Sequence, residues 1–135
     1  MSIHVVTEET FLVGQATVVE GPAPEGHFVA VFEDDGETGY FYALDTSVKE
    51  QSIQDAVQIY NVANVADSSE PSTVKIGWSV DSMKVVLLIN DYAHAVFDYQ
   101  AKQGFCRTGV PPASSNGKWS TQGHEWNNAA IELFA

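Results

Sequence analysis

The sequence predicts an α+β domain, mainly antiparallel β: a meander sheet with one C-terminal helix packed on one face. Three observations point there. Short runs rich in Val, Ile, Phe and Tyr are separated by Gly, Pro, Asn and Asp from Thr10 to Thr108, the punctuation of successive strands. Four of these runs form two pairs, one around an Asp-Gly and one around an Asp-Ser dipeptide, the composition of hairpin turns. The last run, His124 to Phe134, instead places Trp126, Ala130, Leu133 and Phe134 on one face of a helix. A chain of 135 residues fits one domain, residues 1–135.

Thr10 to Val19 reads as a first strand, ended by Gly21, Pro22, Pro24 and Gly26. Phe28–Phe32 and Tyr40–Leu44 then flank an acidic loop. A turn at Asp35-Gly36 pairs Val31 with Tyr40, Val29 with Tyr42, Ala30 with Phe41 and Phe28 with Ala43. Both faces of this hairpin are apolar, which expects a central position in the sheet.

Between the hairpins, Ser52 followed by Asp55 resembles a helix N-terminus, whereas Val57, Ile59, Tyr60, Val62 and Val65 favour a strand. The expectation for 52–65 is a short helical turn followed by a strand. A second hairpin turns at Asp81-Ser82 and pairs Val80 with Met83, Trp78 with Val85, Ile76 with Leu87 and Val74 with Ile89. All eight lie on one face, so a one-residue slip would turn the Trp78 face outward and the register is well fixed. Ala93–Tyr99 follows the break at Asn90-Asp91, Phe105–Thr108 follows the turn near Gly104, and Pro111–Gly117 is a loop by composition.

The stretches Phe32–Ala43, Ile59–Val62, Ala95–Tyr99 and Gly104–Arg107 resemble a family of small bacterial proteins classed as a domain of unknown function. The likeness extends over most of the chain after residue 28 and implies a single-domain bacterial protein. It implies no catalytic residues. The family pattern has Gly where this chain has Ser82.

Charge is divided unevenly. Residues 1–70 hold 13 Asp and Glu against Lys49 alone, a net −12, while residues 71–135 sum to zero. This balance argues against nucleic acid and against anionic membrane surfaces, both of which recruit Lys and Arg. A basic protein or a bound cation is the complementary partner. Cys106 is the sole cysteine, so no internal disulfide forms, which suits a reducing compartment. No basic region precedes an apolar run at the N-terminus, and Val85–Ile89 is far too short to span a bilayer. The expected location is the cytoplasm.

The densest acidic cluster is Glu33, Asp34, Asp35 and Glu37. Of these, Asp34, Asp35 and Glu37 are the candidate contacts for a basic partner. The cluster lacks the spacing of a calcium loop. His4, His27, His94 and His124 are scattered, without the spacing of a zinc site. His94 and Asp98 share a strand face with Cα atoms roughly 13 Å apart, too far to pair directly. Cys106 beside Phe105 reads as a buried, inert thiol. No nucleophile elbow, phosphate loop or Cys-x-x-Cys pair occurs, and neither a metal nor a cofactor is expected.

The leading expectation is therefore a small acidic binding module without enzymatic activity, of the immunity-protein or inhibitor type, that docks a basic protein. The alternative is a small-molecule or metal-dependent enzyme with a pocket between the sheet and the C-terminal helix, built from His94, Asp98, His124 and Trp126. An exposed sheet edge also leaves homo-oligomerisation open.

Overall fold

The computed structural model describes residues 3–48, 53–65, 69–108 and Trp126. In chain order these contain β1 (Ile3–Phe11), β2 (Thr17–Pro22), β3 (Phe28–Asp34), β4 (Thr38–Asp45), β5 (Ile53–Asn61), a 3-10 turn (Val62–Asn64), β6 (Ser72–Ser79), β7 (Lys84–Ile89), β8 (Tyr92–Asp98) and β9 (Gln103–Cys106). The strands form two antiparallel sheets, ordered β1-β6-β7-β8-β9 and β2-β3-β4-β5.

The sheets stack face to face over a shared core. Phe32, Phe41 and Val57 enter it from the four-stranded sheet, and Ile76, Trp78, Leu87 and Phe97 from the five-stranded one. Rings meet across the gap, with Phe41 stacked on Phe97 at 5.0 Å. Polar tips close the ends of the layer: the Trp78 indole N–H donates to the Gly21 carbonyl at 3.0 Å, and the Tyr99 hydroxyl reaches the carbonyls of Val29 and Leu44. Along one seam the Cys106 thiol and Thr108 hydroxyl of the β9 end donate to the Gln58 carbonyl of β5. Along the other the Thr7 hydroxyl of β1 donates to the Glu20 carbonyl of β2.

This architecture corrects the α+β expectation. The described residues contain two sheets and no α-helix. Most of the expected helix, His124–Phe134, lies outside the described residues. Its one described member, Trp126, is in no regular element and packs near Val86 and Val96, whose side chains lie outside the shared core. Pro111–Gly117 also lies outside the described residues. The single meander becomes two, β2–β5 and β6–β9, with β1 added to the edge of the second.

The hairpins differ in how well their pattern specified register. β6 and β7 pair Val74 with Ile89, Ile76 with Leu87 and Trp78 with Val85, as expected, although Val80 beyond the strand end is 65% exposed. β3 and β4 occupy the centre of their sheet as expected, but their register is displaced by two residues: Val31 faces Tyr42, Phe32 faces Phe41 and Ala30 faces Ala43. The turn residues are Gly36-Glu37, with Gly36 at φ 100°, the place where a two-residue turn with one positive φ wants glycine. Thr10–Val19 is not one strand: it holds the end of β1, a turn near Gly14 and the start of β2, and β1 begins seven residues before the expected span, at Ile3. The order expected for 52–65 is reversed, because Ile53–Asn61 is strand and the short helical turn follows it. Asn90 and Asp91 both take positive φ and so form a two-residue turn of the mirror-image type. Ser82, at φ 60°, takes a backbone conformation that glycine would adopt without strain.

Candidate functional site

The acidic hairpin tip is held by one buried carboxylate. Asp34 is 1% exposed. Its Oδ1 accepts the Gly36 N–H at 2.8 Å; its Oδ2 accepts the Gly14 N–H at 2.8 Å and the Tyr60 hydroxyl at 2.7 Å. One side chain thereby joins the β1–β2 turn, the β3–β4 turn and strand β5. Burial, followed by the bond to Asp34, holds the Tyr60 hydroxyl well above the ordinary phenol value, so it stays a donor. Gly39 makes room for this ring: a Cβ there would lie 2.6 Å from Tyr60 Cζ. Gly39→Ala should therefore push Tyr60 off Asp34 and cost about 1–3 kcal/mol, measured by urea unfolding; an unchanged midpoint would show that the ring shifts freely.

Asp35 and Glu37 are exposed. Asp35 Oδ1 accepts the N–H groups of Glu37 and Thr38, and these bonds hold its carboxyl below the usual range. The tip is thus a braced turn presenting two carboxylates. The structure keeps Asp35 and Glu37 at the surface, whereas Asp34 faces inward and is not available to a partner.

The outward face of the four-stranded sheet adjoins this tip. Strand alternation sends Ala30, Phe32, Phe41 and Ala43 into the core. It sends Val29, Val31 and Glu33 of β3 and Tyr40, Tyr42 and Leu44 of β4 the other way, all half-buried. No third layer covers them among the described residues. Tyr40 and Tyr42 stack at 5.9 Å, and the Tyr42 hydroxyl donates to Glu33 Oε1 at 3.0 Å. Burial, then the Glu33 bond, raises the Tyr42 hydroxyl far above the ordinary phenol value. Val18 of β2, 62% exposed, and the exposed Glu20 extend the same face. The sequence pairs the two tyrosines with Val31 and Val29 but does not place them on an outer face. The signal that could have marked them was the second apolar face, which a two-layer fold leaves outside.

The residues of the alternative enzyme reading are not brought together. His94 stands near the Asn90-Asp91 turn, in a cleft of about 380 Å³ that also holds Val13, Tyr60, Glu70 and Asn90. Asp98, at the far end of the same strand, is buried and caps the next turn by accepting the N–H groups of Gln100 and Ala101. Trp126 lies over the Arg107 guanidinium, which is 4.2 Å from its ring and 4.3 Å from that of Tyr92. His124 lies outside the described residues. Among the described residues no three His, Cys, Asp or Glu side chains converge in a metal-binding arrangement. Cys106 is buried.

Burial, then the Arg107 charge, lowers the His94 pKa from its ordinary 6.5. Below that pH the unfolded chain takes up a proton that the folded chain resists, so stability falls as pH drops from there and levels off once the folded chain is protonated too. His94→Gln should flatten this part of the stability–pH curve. An unaltered slope would show that His94 is as readily protonated folded as unfolded.

Residues 11–135 match DUF2251, a family described as uncharacterized protein conserved in bacteria. The chain belongs to this family. A Haemophilus influenzae relative described as an uncharacterized protein is 35% identical over 127 residues, which cover 89% of this chain and 75% of the relative. No solved structure matches this DUF2251 chain. Among the described residues no helix is long and apolar enough to cross a membrane.

Proposed function

We propose that this DUF2251 protein is a binding module that docks a basic protein through its acidic half, in the manner of an immunity protein or inhibitor. The observation that carries the reading is a one-signed surface. Residues 1–70 contain one basic residue, Lys49, and the described strands β1–β5 contain neither Lys nor Arg. Glu20, Asp35 and Glu37 are exposed on the four-stranded sheet and its turn, whereas Glu8 of β1 lies opposite Lys75 of β6. Carboxylates on a braced scaffold raise encounter rates with a positive partner and make association sensitive to salt. A single cysteine suits a cytoplasmic setting.

The test is to identify a protein retained by the immobilised chain, purify it separately and measure binding. Asp35→Lys with Glu37→Lys should slow association about tenfold or more at low salt, and the difference should shrink as salt is added. An affinity unmoved by the double reversal would remove this reading.

A further inference from the structure

We propose that the outward face of β3 and β4, with Tyr40 and Tyr42 at its centre, is the apolar heart of that contact, and that its partner is a basic protein presenting apolar side chains ringed by Lys or Arg. The inference rests on the docking function above and goes beyond charge to the surface itself.

The sheet pattern is the first support. The solvated face of an antiparallel sheet normally reads polar at alternate positions. Here five of the seven outward positions on β3 and β4 are Val29, Val31, Tyr40, Tyr42 and Leu44, and neighbouring Val18 is largely exposed. The other two are Thr38 at the tip and Glu33, which is tied to Tyr42. Stacking and that bond hold both rings before any partner arrives, so little side-chain freedom remains to be lost on binding. Tyrosine is also the residue type that concentrates binding energy at the centre of interfaces.

Charge selects the partner. Glu20 and Glu33 border the rings, and Asp35 and Glu37 stand at the adjoining tip. A second copy docking face to face would set these carboxylates against their own kind. Phosphate backbones and anionic lipids are repelled for the same reason. An apolar centre with a positive rim is complementary on both counts.

The isotope-labelled full chain can be titrated with two probes and followed by the backbone NMR signals: polylysine, and a peptide in which Lys alternates with Leu. The alternating peptide should shift Val29, Val31, Tyr40, Tyr42 and Leu44 as well as the tip, whereas polylysine should shift the tip alone. Tyr42→Ser should weaken the alternating peptide about tenfold or more and leave polylysine unchanged. Val31→Lys, which retains both rings, should weaken it too, covering the case in which Tyr42→Ser misfolds. If both peptides shift only Asp35 and Glu37, the sheet face is not the contact, although charge-driven docking stands. If neither binds at low salt, both readings fall. Concentration-dependent self-association that shifts the Tyr40–Tyr42 face would replace the basic partner with a second copy and overturn the proposal.

Discussion

Asp34→Ala should destabilise the protein by about 3–5 kcal/mol, more than substitution of the exposed Asp35 or Glu37. The side chain is buried and accepts three hydrogen bonds. Alanine leaves the Gly14 N–H, the Gly36 N–H and the Tyr60 hydroxyl facing a space with no acceptor. Each orphaned buried donor costs roughly 1–3 kcal/mol, and relaxation of the two turns into water recovers part of the sum. Tyr60→Phe deletes one donor together with its share of the acceptor, so it should cost only about 1 kcal/mol. Asp34→Asn should fall between, because an amide keeps one oxygen and presents an NH2 to the donors on the other side. Urea unfolding followed by tryptophan fluorescence gives the ranking. Hydrogen exchange should quicken in Asp34→Ala at Gly14 and Gly36 before it quickens in β6 or β7. An alanine variant within about 1 kcal/mol of the parent would show that the two turns hold without their shared acceptor.

The same residue shows where sequence reasoning stopped. Within the run from Glu33 to Glu37, four carboxylates look alike as composition. Their roles separate only in three dimensions: Asp34 pairs with Thr17 and Gly39 on the inner face, while Asp35 and Glu37 fall in the turn. No local signal reveals that Gly14, twenty residues earlier, supplies a donor. Register shows a similar division. Trp78, Ile76 and Val74 alternate with residues of a different character, so a one-residue slip of β6 on β7 is excluded and the turn at Asp81-Ser82 selects among the rest. In β3–β4 both faces are apolar, and sliding by two residues keeps every side chain on its face. The pattern therefore fixed the faces of Ala30, Phe32, Phe41 and Ala43 but not their partners. The turn decided the pairing, by placing Gly36 where φ is positive. The expected strand Thr10–Val19 covers the start of β2 and only the last two residues of β1, because Ile3–Glu9 mixes Val5 and Val6 with His4, Thr7, Glu8 and Glu9 and shows no clear apolar face. Charge asymmetry was legible throughout. The tyrosine face was legible as residues but not as a surface, because nothing local says how many layers a fold will have.

Trp78→Ala should bring the protein close to global unfolding at physiological temperature. Trp78 is fully buried, lies opposite Val85 in the register and tilts against the Tyr99 ring at 5.5 Å. Truncating a core aromatic costs about 3–5 kcal/mol through lost transfer energy and the cavity left behind. Here a second cost is added. The indole N–H satisfies the Gly21 carbonyl in the opposite sheet, at a place where Ile76 packs so tightly that even a Cβ on Gly21 would lie 2.5 Å from its Cγ2. Gly21 is buried, so its orphaned carbonyl adds roughly 1–3 kcal/mol. The total approaches the lower end of the 5–15 kcal/mol that holds a typical domain together, about the whole margin. Trp78→Phe separates the two costs: it keeps most of the packing and loses only the hydrogen bond, so about 1–3 kcal/mol should go. Trp126→Ala serves as the control, because that ring is only partly buried on the opposite side of the sheet and its loss should leave the inter-sheet core folded. Thermal melts of the three variants order them. If Trp78→Ala melts cooperatively within a few degrees of Trp126→Ala, the two sheets are not joined through Trp78, and the core must depend on Phe41 and Phe97 instead.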